Sequence, residues 1–264
     1  MRPNITQPNR PIGLAELRER LGAIEQPTAS TGAIRTGWDE IDAVFARGGL
    51  ARSAVHEWIG LESERAEART PSSRRWSPPL NVLIHLARQC AAAAQRESLP
   101  LSVCWIGRRI WPTVQTLAAH ANEPTDLLAR SLFVDAPDAA ARMWAADLAA
   151  RCSSVLVIAD GSRFDIAATR RLQLAAEAGG WMALLARPPG EDKELSAAAT
   201  RWRIGRAVSP GDEPRYQLNL LRCKGLRSMH AQDRTFILEW ASRDRLVLVP
   251  SEVRIRPHAA KIAG

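Results

Sequence analysis

Short apolar runs alternate with helical stretches through the middle of this chain, and that alternation constrains the fold more than any other feature. The apolar runs cover residues 54–59, 102–106, 132–134, 154–159 and 181–186. Strands joined by helices pair in parallel through right-handed crossovers, and the resulting sheet is buried on both faces. We therefore predict an α/β fold in which a mostly parallel sheet carries helices on both faces.

Helical periodicity places the connecting helices. The helix predicted over 80–96 has an apolar face that consists of Leu80, Leu83, Ile84, Ala87 and Ala91. The next long helix is predicted over 137–152, with Pro137 as its first residue. The stripe that we expect to face the core there consists of Ala141, Trp144, Ala145, Leu148 and Cys152. Further helices are predicted over 165–178 and, as shorter segments, over 112–121 and 124–130.

Beyond Thr200 the pattern changes to strand-like runs separated by turn residues. These runs cover 202–207, 216–221, 235–240 and 246–249, and they predict an antiparallel C-terminal edge of the sheet. The chain then divides into an N-terminal helix and linker over 1–30, a main domain over 31–250 and a basic tail over 251–264. The segment 61–79 is charged and rich in Ser and Pro, so it is predicted to be an exposed loop.

The strand over 54–59 runs directly into Gly60, as a strand does before a phosphate-binding P-loop. Such a loop needs a second Gly at its sixth position, Lys at the seventh and Ser or Thr at the eighth. Those positions hold Arg65, Ala66 and Glu67. Three carboxylates, from Glu62, Glu64 and Glu67, stand where a triphosphate needs donors and positive charge. We predict that this degenerate loop binds no nucleotide and that the protein needs no cofactor.

The net charge and the spacing of the cysteines limit which compartment and which partners we expect for this protein. The net charge of +8 arises from 36 basic and 28 acidic residues, and it reflects either overall composition or an acidic partner, which is nucleic acid or an acidic protein surface. Four cysteines stand apart and five histidines show no ligand spacing, which favours a reducing compartment and no metal site. No signal peptide or membrane-spanning run is evident in the sequence, so a cytoplasmic protein without a membrane partner is predicted.

The order of short motifs resembles the RecA recombinase core over about residues 31–240. The resemblance is carried by Thr31-Gly32, by Gly37 through Asp42, by Gly48-Gly49-Leu50 and by the strand that ends at Gly60. It implies a RecA-like core. It also places Asp160 at the Walker B position, and Arg222 and Lys224 on a strand that faces the nucleotide of a neighbouring subunit. From the residues alone, Asp160 also fits a turn after a strand, and Arg222 and Lys224 also fit a solvated strand face.

The sequence departs from that family where catalysis and DNA binding would occur. Gly107-Arg108-Arg109 stands at the place of the catalytic glutamate, and the two DNA-binding loops are shortened to 161–164 and 188–196. Trp76 and Trp111 lie near arginines, a pattern typical of protein contacts or of stacking on single-stranded bases.

The run 170–180 is similar to that of the ImuA family, the RecA-like accessory proteins of damage-induced mutagenesis, for which the cell-division inhibitor SulA is a sister branch. The resemblance implies a non-enzymatic role in error-prone translesion DNA synthesis. The implied partners are the polymerase-like protein ImuB, an error-prone DNA polymerase and RecA, with weak sequence-independent DNA contact and a homo-oligomer as further expectations. The alternatives are a SulA-like inhibitor that binds a division protein, and a residual NTPase or DNA-binding RecA paralogue.

Most of the net charge lies in the last quarter of the chain. The tail carries Arg254, Arg256 and Lys261, and it is predicted either to order on an acidic partner surface or to act as a solubilising end.

Overall fold

A computed structural model of the protein describes residues 32–62, 76–118, 126–224, 234–242 and 245–249. The predicted N-terminal helix and the basic tail with Arg254, Arg256 and Lys261 lie outside these ranges, as do Arg65, Ala66 and Glu67 of the degenerate loop.

Thirteen strands and five α-helices are present in the described ranges. The strands are β1 (Ala33–Ile34), β2 (Leu50–Ala51), β3 (Val55–Ile59), β4 (Leu61–Glu62), β5 (Trp76–Ser77), β6 (Ser102–Ile106), β7 (Ser131–Val134), β8 (Val155–Asp160), β9 (Ala183–Arg187), β10 (Thr200–Ala207), β11 (Arg215–Cys223), β12 (Thr235–Ser242) and β13 (Arg245–Val249). The helices are α1 (Asp39–Asp42), α2 (Leu80–Arg96), α3 (Val114–Leu117), α4 (Ala139–Arg151) and α5 (Ile166–Gly179). Short 3₁₀ turns follow β6 and β9.

Nine of the strands form one sheet in the order β13-β12-β11-β10-β3-β9-β8-β6-β7. Pairing is parallel from β10 through β3, β9, β8 and β6 to β7, and antiparallel from β10 to β13. The prediction of a mostly parallel sheet with an antiparallel C-terminal edge is therefore confirmed. Two small antiparallel pairs, β1 with β2 and β4 with β5, were not predicted.

Alternate residues of the central strands belong to two separate apolar clusters, one on each face of the sheet. The first cluster joins α2 to side chains such as Trp58 and Trp105, and the second joins α4 and α5 to Ile106 and Leu185. Each face of the parallel strands is thus covered by helices, because continuous apolar strands leave no face that water can solvate cheaply.

Three predictions about helices are wrong. Helix α4 begins at Ala139 rather than at Pro137, because the side chain of Asp138 accepts the backbone N–H of Ala141 at 2.8 Å and caps the helix. Residues 126–130 form turns rather than a helix. Most importantly, Trp144, Leu148 and Cys152 point to solvent, whereas Arg142, Ala146 and Ala150 face the sheet.

The helix predicted over 112–121 is shorter in the structure and spans only Val114–Leu117, with Ala118 outside it. The other main elements agree with the sequence. Helix α2 spans the predicted 80–96 and buries Leu83, Ala87 and Ala91. Helix α5 begins after Asp165, whose side chain accepts the N–H of Ala168, and ends before Gly180. Among the described residues, no helix is both long enough and apolar enough to cross a membrane.

Candidate functional site

The carboxyl ends of the parallel strands meet at one edge of the sheet, where doubly wound folds bind their ligands. Strand β3 runs into Gly60 there, β6 into Gly107, and β8 ends at Asp160. The predicted P-loop entrance and the predicted Walker B position are therefore at the same edge.

The backbone after Gly60 pairs with another strand. Leu61 lies opposite Ser77, and Glu62 lies opposite Trp76, in the antiparallel pair of β4 with β5. A Cβ at position 60 would lie only 2.7 Å from Cε3 of Trp76. A phosphate cradle needs backbone N–H groups that converge on open space. Here the indole of Trp76 fills the space next to Gly60.

The N-terminus of α2, the first long helix after β3, is also poor in free donors. It follows Pro78 and Pro79, and proline has no backbone N–H. The N–H of Leu80 donates to the carbonyl of Pro78 at 2.8 Å, and those of Val82 and Leu83 donate to the carbonyl of Pro79. Since a helix N-terminus binds anions through unpaired N–H groups, this one is not arranged to hold a triphosphate.

Asp160 is buried at the end of β8 and is surrounded by positive charge. Its Oδ1 accepts the backbone N–H of Ser162 at 3.0 Å, which is turn geometry. Its Oδ2 lies 3.6 Å from Nε of Arg109 and 3.9 Å from Nε of Arg142. Two guanidinium groups around one carboxylate leave a local excess of positive charge, which opposes the binding of Mg²⁺.

Arg142 reaches Asp160 from α4 because position 107 is a glycine. A Cβ there would lie 2.8 Å from Cδ of Arg142, and Gly107 also adopts a φ of 94°, which side chains disfavour. The Arg142 guanidinium donates to the carbonyl of Asp160 at 2.8 Å and to Oγ of Ser162 at 3.0 Å. This buried arginine therefore fixes the backbone of the first shortened loop, 161–164.

Arg109 connects Asp160 with Trp76. Its guanidinium carbon lies 5.3 Å from the centroid of the Trp76 ring, a cation–π distance. Trp76 is only 4% exposed, so the prediction that it lies in an exposed loop and contacts a partner is wrong. Arg108 points outward instead and pairs with Asp135, an interaction that raises the pKa of its guanidinium.

A second charged cluster, which the sequence analysis missed, lies on β3 itself. Glu57 is fully buried, and its Oε1 accepts from Nη1 of Arg187 at 2.8 Å and from Oγ of Ser196 at 2.7 Å. Its Oε2 accepts from Nε of Arg201 at 2.6 Å. Burial alone lowers the pKa of Arg187, but the carboxylates of Glu57 and Glu191 outweigh it, and the pKa is raised.

This cluster fixes the second shortened loop, residues 188–196. Arg201 donates to the carbonyls of Glu191, Asp192 and Glu194 at 2.7–3.1 Å. Arg187 also donates to the carbonyl of Phe164 at 2.8 Å. Both loops are therefore held by buried arginines rather than left open above the sheet.

Arg222 and Lys224 lie on the exterior at the end of β11, and both contact the same part of the chain. Arg222 donates to the carbonyl of Ser196 at 2.7 Å, and Lys224 donates to the carbonyl of Ala197 at 2.8 Å. The structure thus gives each side chain an intramolecular hydrogen bond, and it places both within reach of the 188–196 loop but not beside Asp160.

One sequence signal pointed to the Glu57 cluster. An acidic residue in the middle of a buried strand needs a positively charged partner, because an unpaired buried charge is very costly. The sequence does not reveal which arginines pair with it, since Arg187 and Arg201 follow 130 and 144 residues later.

No protein-family model matches the chain, and a search of curated proteins found no relative. In the described part of the chain, no group of three or more His, Cys, Asp or Glu side chains is placed to hold a metal ion.

Proposed function

We propose that this protein is a non-catalytic RecA-like accessory protein of damage-induced, error-prone translesion DNA synthesis. It acts by assembly, in contact with a polymerase-like protein of the ImuB type and an error-prone DNA polymerase, with RecA as a further candidate partner. Contact with DNA is weak and independent of sequence, because it depends on attraction between arginines and phosphates.

The observation that best supports this proposal is the contact of Trp76 with Gly60 together with the pairing of Arg109 with Asp160. A side chain occupies the space beside the first glycine, and an arginine neutralises the carboxylate that would hold a metal. Both features act against nucleotide binding, and all four residues lie outside the 63–75 segment. A residual NTPase is therefore the less favoured alternative.

The sheet supports the RecA-like part of the proposal. Strand β3, which leads to Gly60, lies in the interior of the nine-stranded sheet between β10 and β9. From β3 the chain passes β9 and β8 to reach β6, and from β9 it passes back over β3 to reach β10. The connections that leave the neighbouring strands β3 and β9 therefore run in opposite directions along the sheet. Such a divergence is where doubly wound folds place a ligand, and the motif order 31–60 resembles RecA at that point.

In this proposal, an ancestral fold used nucleotide binding to control the contact between subunits. The present protein retains the contact surface, but in one fixed conformation. The buried network of Glu57, Arg187 and Arg201 supports this reading, because the protein's own side chains hold the loop after β9. A rigid surface lowers the entropy cost of binding a partner.

A genetic complementation experiment tests the proposal. Cells that lack the gene should show a lower frequency of damage-induced mutation, and the wild-type gene should restore that frequency. The Asp160→Asn gene should restore it equally, since no metal chemistry is involved. This variant retains an acceptor for the N–H of Ser162 but removes the charge. Loss of restoration by this variant, with the folded protein present at wild-type level, would favour an NTPase. Division arrest on overexpression, with unchanged mutation frequency, would favour a SulA-like inhibitor.

A further inference from the structure

The outer surface of helix α4 is apolar along most of its length. Ala140, Trp144 and Leu148 recur at intervals of four residues and face solvent, with Trp144 and Leu148 65% and 54% exposed, and the exposed Cys152 follows directly after the helix. Residues four apart form one stripe on a helix. We define this stripe as the α4 outer stripe.

The two sides of α4 have reversed polarity. Arg142 and Asp147 are buried on the inner side, where Arg142 bonds the backbone near Asp160 and Asp147 accepts from Arg151 and Arg171. A surface helix normally has its apolar stripe against the core and its charges outside. Here the charges have structural uses inside, while the large apolar residues make the outer surface.

An exposed contiguous stripe with Trp and Leu at its centre is typical of an interaction surface. Small residues on and beside the stripe, namely Ala140, Ala141 and Ala145, would let a second helix approach closely.

We propose that the α4 outer stripe binds the same stripe of a second copy of this chain, with the two helices antiparallel about a two-fold axis. The axis passes between Trp144 and Leu148, so each Trp144 packs beside Leu148 of the other copy. The dimer forms whether or not the protein acts in translesion synthesis.

Charge complementarity favours a second copy in this orientation. Asp138 is exposed at the N-terminal end of α4, and Arg151 at its C-terminal end has a side chain that is 49% exposed while it is paired with Asp147. Antiparallel packing places the acidic N-terminal end of each α4, where Asp138 caps the helix, beside the basic C-terminal end of the other, where Arg151 lies, and it also opposes the two helix dipoles favourably. A parallel arrangement would place like charges together.

The area available for contact between the two copies indicates the expected affinity of the dimer. Helices α4 and α5 pack against each other, and together they present a surface about 20 Å long and about 20 Å wide. Burial on the order of 500 Å² per copy lies near the lower limit for a specific interface, so we expect a dissociation constant in the micromolar range.

Sedimentation velocity on the full chain over a concentration series tests the dimer. The wild type should associate reversibly to a dimer, and both Trp144→Glu and Leu148→Glu should weaken association at least tenfold. The matched controls are Leu195→Glu and Val208→Glu, which change apolar residues that are 74% and 90% exposed elsewhere, and these should dimerise like the wild type. A wild type that stays monomeric up to about 100 µM, well above a micromolar dissociation constant, would overturn the proposal. Stripe variants that dimerise normally would do so as well.

Cross-linking tests the orientation. Within one copy, position 140 in α4 and Cys152 just after the helix are about 18 Å apart, whereas the proposed axis brings position 140 of one copy near Cys152 of the other. Ala140→Cys treated with a short bismaleimide should therefore yield covalent dimers well above the wild-type level, and Val208→Cys should not. Equal yields from the two variants would rule out the antiparallel arrangement, and thermal unfolding of each variant confirms that it is folded.

Discussion

The indole of Trp76 lies against Gly60, so close that a Cβ at position 60 would be 2.7 Å from its Cε3 atom. The same Cβ would also collide with the backbone carbonyl of Ser77. A P-loop needs open space beside its first glycine for phosphate, whereas the space beside Gly60 is filled by a side chain of the core.

Gly60→Ala should destabilise the fold by about 1–3 kcal/mol, because a backbone atom of β5 must move to accept the added methyl group. Gly190→Ala is the matched control, since a Cβ at position 190 would meet no atom within 4 Å, and it should change stability by less than about 0.5 kcal/mol. Urea unfolding measures both. Equal stability of the two variants would show that Trp76 does not pack on Gly60.

Glu57→Gln should cost about 3–5 kcal/mol, because it leaves the buried guanidinium of Arg201 without a carboxylate and that of Arg187 with only the carboxylate of Glu191. The matched control is Asp39→Asn, which removes the 2.7 Å pair with Arg35 at the surface and should cost less than about 1 kcal/mol. Chemical denaturation distinguishes them. Similar small losses in both variants would mean that the buried cluster does not stabilise the fold.

The sequence was most informative where a helix has one wide apolar face. Helix α2 follows its predicted bounds and face because all of its buried residues are apolar and most of its other side chains are polar. Helix α4 was oriented wrongly, since its inner side carries Arg142 and Asp147, whose partners come from β8 and α5. Periodicity finds a stripe, but only tertiary partners decide which side of the helix is buried.

In the candidate site, too, some features follow from local sequence patterns and others depend on tertiary partners. The approach of β3 to Gly60 and the position of Asp160 after β8 follow from local patterns, and the structure places both at one edge of the sheet. The positions of Trp76 and Arg109 depend on the pairing of β4 with β5 across an intervening segment. No local pattern specifies such a pairing, so the burial of Trp76 could not be predicted.

Stability should fall as the pH is lowered from about 7 towards 4. Burial lowers the pKa of both His56 and His85 to about 4, although the carbonyls of Ala51 and Thr36 partly offset it. The unfolded chain binds protons below about pH 6.5 and the folded chain does not, so each histidine removes about 1.4 kcal/mol per pH unit within this window.

Thermal or urea unfolding between pH 4.5 and 7.5 measures this slope. His56→Gln should reduce it by about one histidine's contribution, whatever its effect on stability at pH 7. An unchanged slope in this variant would show that His56 is protonated in the folded protein.

Removal of the tail after Pro250 should leave the thermal unfolding midpoint nearly unchanged and should weaken binding to the polymerase-like partner at least tenfold, or about 1.4 kcal/mol. The reason is the charge of Arg254, Arg256 and Lys261, which suits an acidic surface. Titration of the full-length and truncated proteins against the partner decides it. Equal affinities would place the docking surface on the folded domain.

Equilibrium titration with Mg-ATP tests the central claim most directly. The account predicts no saturable binding up to about 1 mM, a concentration far above the micromolar affinities of functional sites, because the Trp76 indole packs beside Gly60 and Arg109 lies 3.6 Å from the carboxylate of Asp160. A micromolar dissociation constant that Asp160→Ala abolishes would contradict the account and would show that the nucleotide site is intact.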